Sequence, residues 1–317
     1  MTDVDAVTLP WTDLLDPDAA QLEAEWPGEL YDLARAQLLA PARHGDEPRP
    51  KIDSHGNYVL AVFVVPVAVP ADDRVFHQEI DLLVSPERIL SVRKTPDRAP
   101  GSTVVDQPYD PTDVREALLA AGRDVRPGTI AYHVADDVAE AFLDLIDDVH
   151  GEIDQLEDEV EGASDEHVRT RISELRHDLL HIRRTLAPTR DAVRRIVDGR
   201  VDAPDDSTFP HELELQFGDV FDKLLRASEG LESARDLIGG VRDYHQAKVA
   251  NDQNEVMKRL TMVASLLLLP TFIVGLYGQN FIHMPELRWE HGYLYSWALI
   301  LGTTAAQLWW FRRNHWI

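Results

Sequence analysis

The sequence predicts an α-helical membrane protein in which an N-terminal cytoplasmic α/β domain and a stalk of long coiled helices precede two C-terminal transmembrane helices. Three observations carry this. Residues 260–276 and 293–311 are apolar runs without a charged side chain, and an apolar helix needs about 20 residues to cross the hydrocarbon core of a bilayer. Residues 136–241 carry long apolar stripes at near-heptad spacing, with acid on the other faces. Residues 58–92 hold short runs rich in Val, Ile, Leu and Phe, the pattern of buried strands.

The expected divisions are 1–130, a cytoplasmic α/β domain; 131–209, antiparallel long helices; 210–259, a stalk helix; 260–278, the first transmembrane helix; 279–292, an outer loop; 293–311, the second transmembrane helix; and 312–317, a cytoplasmic tail. Within the first division, Asp16-Pro17-Asp18 signals a helix start, and short helices are expected up to Glu25 and over 29–39. Pro48 and Pro50 break the pattern. Residues 58–65 are the clearest strand, followed by strands over 76–84 and 88–92 with Ser85-Pro86-Glu87 as the turn between them. Residues 94–111 are rich in Pro, Gly and Asp and read as a loop; a helix then runs from Pro111 to about Ala121, and 122–128 is a linker.

Helix is expected from Asp136 onward. Val138, Phe142, Leu145, Val149, Ile153, Leu156 and Val160 form one stripe, and Gly162-Ala163-Ser164 a turn. Val168, Ile172, Leu175, Leu179, Ile182, Leu186, Val193 and Ile196 form a second stripe, interrupted at Thr189, with Pro188 as a possible kink. Matching seams and a tight turn predict an antiparallel coiled pair. After a break at 198–210, a third stripe runs Leu213, Phe217, Val220, Leu224, Ala227, Leu231, Ala234, Ile238, Val241. One helix is expected from about Pro210 to Gly278; at 1.5 Å per residue it would be about 100 Å long and would need to pack against copies of itself and against the coiled pair.

The flanks orient the two spans. Lys258 and Arg259 precede the first and Arg312 and Arg313 follow the second, while the intervening loop holds Arg288 beside Glu286 and Glu290. Both termini are therefore expected in the cytoplasm. Trp289, Tyr293 and Tyr295, and at the other end Trp309, Trp310 and Trp316, occupy interfacial positions. Two spans that merely anchor a soluble domain fit the same pattern.

The chain has 317 residues, no cysteine and a formal charge of −25. Disulfides and thiolate metal sites are excluded, and nucleic acid or an anionic membrane surface is a poor partner for so acidic a chain. Carboxylate oxygens suit Mg²⁺ and Ca²⁺, although most such acid simply solvates a surface. Residues 1–5 are acidic and no apolar stretch follows, so no secretory signal is expected there. No nucleophile–base pair, P-loop or dinucleotide fingerprint appears, so an enzyme or ATPase is not expected and transport would be passive or proton-coupled. His177 and His181 lie four apart on a helix and suit a softer metal, with no third ligand evident.

A 3.5-residue repeat places Asn254, Met257, Thr261, Ala264, Leu268, Thr271, Gly275 and Gly278 on one narrow face of the long helix. Small and polar residues within a span point toward partners or water. The stripe is therefore either a helix-packing face or, with several copies around an axis, a pore lining.

Five stretches bear on that choice: Asn254-Glu255-Val256-Met257-Lys258, Pro270-Thr271-Phe272-Ile273, Tyr277-Gly278-Gln279-Asn280-Phe281, Met284-Pro285-Glu286-Leu287-Arg288-Trp289 and Gly292-Tyr293. In this order and spacing they resemble the CorA family of divalent-cation channels. The family signature is Gly-Met-Asn, and here Gln279 stands where Met is usual. The resemblance implies a homopentameric funnel in the cytoplasmic membrane that conducts Mg²⁺ and Co²⁺, with Zn²⁺ transport or a non-conducting metal-sensing assembly as alternatives.

The resemblance also assigns residues. Gly278, Gln279 and Asn280 become the selectivity filter, with the Asn280 amide holding hydrated Mg²⁺. Asn254, Met257, Leu260, Thr261, Leu268 and Thr271 line the pore, Met257 and Leu260 matching an apolar constriction or serving as plain core. Glu286 and Glu290 form acidic rings at the outer mouth. Asp219 and Asp243 become regulatory Mg²⁺ ligands, the partner of Asp219 lying near Asp106 or Asp110. Replacing a thioether by the Gln279 amide would widen ion choice, bind more tightly or reduce flux; the sequence leaves these open.

Overall fold

The structure is a computed structural model that describes residues 9–42, 47–69, 74–95, 109–120, 125–279, 284 and 288–316. The chain divides into two compact units, Met1–Arg242 and Asp243–Ile317.

The first unit opens with a five-stranded sheet. Its strands are β1 (Trp11–Leu15), β2 (Lys51–Ser54), β3 (Val59–Val69), β4 (Arg74–Val84) and β5 (Ile89–Arg93), in the order β1-β5-β4-β3-β2. Only β1 and β5 run parallel; the other pairs are antiparallel. The continuous apolar character of the central strands follows from burial on both faces. Val59, Ala61, Phe63, Val65, Ile80, Leu82 and Val84 belong to the larger core shared with the long helices. Tyr58, Leu60, Val62, Leu83, Leu90 and Val92 pack instead with Leu22 of α1 (Ala19–Glu25), with Trp26 just after it, and with Ala34 and Leu38 of α2 (Asp32–Leu39).

The three expected strands are present, two of them longer than their apolar runs. β1 and β2 were not expected, because neither has a clear alternating pattern. Contacts distant in sequence hold them: for β1, Trp11 Nε1 donates to Ser91 Oγ at 2.9 Å and Arg93 Nη2 lies 2.6 Å from Asp13 Oδ2; for β2, Arg195 donates to the Ile52 carbonyl and stands 3.6 Å from Asp53. β4 carries polar residues into the interior. Lys94, 2% exposed, stands 2.5 Å from Glu79 and 3.3 Å from Asp81, and donates to the Gln37 carbonyl at 2.6 Å. Burial, then the neighbouring Glu79 charge, pushes the Asp81 carboxyl up to about 8. Protonated Asp81 leaves one carboxylate facing one ammonium, the arrangement a dry site tolerates best.

The helices follow. α3 is Thr112–Ala120, and α4 (Pro127–Glu159) and α5 (Asp165–Val197) are two helices of 33 residues each. α4 begins nine residues before the expected Asp136, on Pro127, which suits the first turn of a helix because its missing N–H has no partner there. The expected linker 122–128 falls partly outside the described residues. Residues 160–164 make the turn, and the Ser164 hydroxyl accepts from His167 N at 3.3 Å to cap α5. α5 continues through Pro188. The polar interruption at Thr189 is buried but satisfied: Thr189 Oγ1 donates to the Thr185 carbonyl at 2.8 Å, and Thr185 Oγ1 to the Ile182 carbonyl at 3.0 Å.

α6 (His211–Tyr277) is one helix of 67 residues that contributes to both units. All nine members of its predicted stripe, Leu213 to Val241, are buried in the larger core with the α4 and α5 seams. In the second unit it is joined by α7 (Gly292–Arg313). By length and composition, α6 alone among the described helices is apolar enough to cross a membrane; Tyr, Trp and Gln307 dilute the aliphatic residues of α7.

Gly128 sits where α4 meets the 201–210 loop, and a Cβ there would lie 2.0 Å from the Thr208 carbonyl oxygen. Gly128→Ala should therefore destabilise the full-length protein in detergent by about 1–3 kcal/mol, the usual cost of overpacking. Gly151→Ala, with nothing within 4 Å of its Cβ, should be neutral or gain up to about 1 kcal/mol from helix propensity. Equal unfolding midpoints for the two variants would remove the close approach as a constraint.

Candidate metal-ion sites

The second unit holds the stripe expected to line an ion path. Asn254, Met257, Thr261, Ala264, Leu268, Thr271, Gly275 and Gly278 are all exposed, Leu268 at 70%. Between Asn254 and Gly278 the less exposed positions are Met262, Ser265, Leu266, Leu269, Pro270, Ile273 and Tyr277. At about 100° per residue the two sets lie on roughly opposite faces of the helix. α7 packs on the second set, where Gln307 Nε2 donates to the Ser265 carbonyl at 3.3 Å. Thr261 Oγ1 donates to the Met257 carbonyl at 2.8 Å and Thr271 Oγ1 to the Leu267 carbonyl at 2.6 Å. With each hydroxyl hydrogen committed to the backbone, the oxygen presents lone pairs to whatever faces the stripe. Leu260, also placed in the pore by resemblance, is 61% exposed.

At the end of α6, Gly278 N donates to the Val274 carbonyl at 2.8 Å, and Gln279 is exposed. Gly278 does not use the left-handed turn that glycine permits at a helix end; positive φ among the described glycines belongs to Gly56 and Gly199. A Cβ at Gly278 would stand 3.0 Å from the Val274 oxygen of the preceding turn. Asn280 and Glu286 lie outside the described residues. Glu290 is exposed, beside Trp289, whose ring meets Tyr295 edge-on at 5.8 Å. At the other end of α7, Arg313 lies over the Trp309 ring at 5.3 Å.

In the first unit, Asp219 is exposed on α6. It lies within electrostatic reach of Tyr132, whose hydroxyl is pushed up first by burial, then by Asp136 and by Asp219. One turn further along α6, Lys223 Nζ stands 2.6 Å from both Asp136 Oδ1 and Glu140 Oε1 of α4. Those two hydrogen bonds outweigh the desolvation that would lower it and hold the Lys223 ammonium above its usual range. Nearby, Tyr109 Oη donates to Asp137 Oδ2 at 2.9 Å, and burial raises the Asp137 carboxyl despite that bond. Asp106 lies outside the described residues. Asp110 Oδ1 accepts from Thr112 N at 3.2 Å and stands 3.9 Å from Arg93 Nη1, so it serves the start of α3. Asp243, in the second unit, is exposed. The carboxylates gathered around Lys223 escape the sequence reading, because Asp136 and Glu140 are ordinary acids of an acidic helix until α6 is laid against them.

The histidine expectation changes. His177 is exposed, whereas His181 turns to His77 of β4, ring centroids 4.4 Å apart, and to Glu47, 3.4 Å from His181 Nε2 to Glu47 Oε2. His181 therefore has metal-type neighbours after all, supplied by a strand and a loop instead of by its own helix. The sequence signal is the run His77-Gln78-Glu79, polar residues in a strand that is buried.

Against known proteins, residues 8–313 match the family described as CorA-like Mg²⁺ transporter protein. The chain is 33% identical over 205 residues to the putative metal ion transporter YfjQ of Bacillus subtilis, covering 64% of this chain and 63% of that protein. It is 27% identical over 330 residues to the cobalt/magnesium transport protein CorA of Thermotoga maritima, covering 100% of this chain and 88% of that one. The zinc transport protein ZntB of Yersinia enterocolitica matches at 22% identity, over 73% and 69% of the two chains. The complete structure of the CorA magnesium transporter from Methanocaldococcus jannaschii superimposes with a TM-score of 0.77 at 20% identity, covering 97% of this chain and 91% of that one. The likeness extends the shared fold over the helices of both units.

Lys223 separates Asp136 from Glu140. Lys223→Met should therefore lower the thermal midpoint of the full-length protein in chelator and enlarge the gain that added Mg²⁺ restores, because two carboxylates lose their cation. An unchanged Mg²⁺ response would show that this patch holds no divalent ion.

Proposed function

The chain belongs to the CorA-like Mg²⁺ transporter family, and on that premise we propose that it is a passive, homopentameric channel carrying Mg²⁺ and Co²⁺ across the cytoplasmic membrane. The observation that carries the reading is the stripe from Asn254 to Gly278: smaller and more polar than the Leu- and Val-rich faces beside it, exposed along its whole length, and opposite the face that α7 covers. Five copies packed around that stripe would enclose a path lined by the Thr261 and Thr271 oxygens and narrowed at Met257 and Leu260. An apolar ring of that kind gates by dewetting.

α6 and α7 form the two spans of this reading, with both termini in the cytoplasm. Lys258, Arg259, Arg312 and Arg313 support that orientation. Gly278, Gln279 and Asn280 form the outer filter. Mg²⁺ surrenders water reluctantly, and a ring of neutral amides holds the hydrated ion without trapping it, as conduction requires. Glu286 and Glu290 at the mouth raise the local cation concentration. Asp219 and Asp243 bind regulatory Mg²⁺ that favours the closed state. Transport of Zn²⁺ is the second reading, supported by the ZntB relative.

Purified protein in liposomes should take up Mg²⁺. Asn280→Ala should abolish that uptake without dissociating the oligomer, while Gln279→Met should preserve or raise it. Wild-type flux in Asn280→Ala removes that side chain from the filter. Uptake of Zn²⁺ undiminished by excess Mg²⁺ favours the second reading, and no uptake of either ion leaves a membrane-anchored sensor.

Regulation is tested separately. An ion at about 100 times its Kd stabilises the state it binds by roughly 2.7 kcal/mol per site. Mg²⁺ should therefore protect the cytoplasmic unit from limited proteolysis, and Asp219→Ala should move the midpoint of protection to higher Mg²⁺. Identical midpoints would place the sensor elsewhere.

A further inference from the structure

We propose that Glu47, His77 and His181 form a binding site for a divalent transition-metal ion of the Zn²⁺, Co²⁺ or Ni²⁺ class, distinct from the Mg²⁺ path. One carboxylate oxygen and two imidazole nitrogens converge there, all within 4.8 Å of one another. Two ligands bound to a tetrahedral ion at about 2.0–2.1 Å stand roughly 3.4 Å apart. His181 Nε2 and Glu47 Oε2 are 3.4 Å apart. The site is enclosed: His77 is 6% exposed, and the side chains of His181 and Glu47 are 13% and 12% exposed.

The hydrogen bonding around His77 sets its tautomer. Thr185 has one hydroxyl hydrogen, and it goes to the Ile182 carbonyl at 3.0 Å. The 3.1 Å contact between Thr185 Oγ1 and His77 Nε2 is then made by an Nε2–H donating to the hydroxyl oxygen. The lone pair of the neutral ring falls on Nδ1, which is buried. A metal-binding imidazole commonly has this arrangement, one nitrogen on the ion and the other fixed by an outer acceptor. Asp178, half-buried on α5, lies within electrostatic reach of His181 and adds negative potential.

The donor set decides which ion. Mg²⁺ prefers an octahedron of oxygens and keeps its waters, whereas imidazole suits Zn²⁺, Co²⁺ and Ni²⁺. Three protein ligands leave a position for water, the mark of an exchangeable site. A bound ion would tie β4 and the segment before β2 to α5, joining the sheet to the long helices through three residues far apart in sequence.

The test uses full-length protein in detergent, with Co²⁺ as the probe and Mg²⁺ in large excess to fill all-oxygen sites. Wild type should give a visible Co²⁺ ligand-field band that saturates at one equivalent per chain. Glu47→Gln and His181→Gln should each raise the Kd at least tenfold, and Thr185→Val, which removes only the outer acceptor, by about 10–100-fold. Glu47 lies at the edge of the site, and thermal unfolding in chelator checks that each variant is folded. A saturable band lost in these variants supports the site. Absence of the band in wild type, or its survival with unchanged Kd in folded Glu47→Gln and His181→Gln, overturns it and leaves only a contact between His181 and Glu47.

Discussion

The first unit depends on the apolar seam of α6. Leu213, Phe217, Val220, Leu224, Ala227, Leu231, Ala234, Ile238 and Val241 are all buried, in one core with the seams of α4 and α5 and with one face of the sheet. Each leucine or phenylalanine removed from water contributes about 1.5–3 kcal/mol. The strongly acidic outer surfaces contribute no such term, so this shared core must hold the helices together against their mutual repulsion. Contact is close enough that a Cβ at Gly230 would lie 2.7 Å from Ile146 Cγ2.

Charge is distributed in a way that the seam makes possible. The formal charge is −25, yet the carboxylates that enter the interior are matched or neutralised. Lys94 faces Glu79 while Asp81 is held protonated by burial, and Arg93 faces Asp13; nearer the surface, Lys223 bridges half-buried Asp136 and exposed Glu140. The remaining acid stays on solvated faces, where it favours divalent cations without a large desolvation cost.

The two units offer ions different chemistry. In the second, the available donors along α6 are hydroxyl oxygens and, beyond it, neutral amides, which suit a hard cation that keeps its water. In the first, carboxylates gather near Asp219, whereas His77 and His181 bring imidazole nitrogen together. An ion that prefers nitrogen and an ion that prefers oxygen would therefore be held in separate places, and a transporter could respond to one while conducting the other.

The sequence by itself determined what is periodic or contiguous. The apolar run at 58–65, the three seams and the charge-free stretch after Arg259 each report burial or apolarity through local spacing, and the motif around Gly278 carried the family. Tertiary structure decided what depends on distant partners. β1 and β2 exist because β5 and β3 pair with them; α4 starts early because Pro127 fits its first turn; Gly278 keeps a right-handed turn although glycine permits otherwise. Lys223 reaches two acids more than eighty residues away, and His181 finds its neighbours on a strand and a loop instead of at His177. Spacing along a chain fixes which side chains share one helix face, but only packing brings separate elements within hydrogen-bonding distance, and there the choice of partner is made.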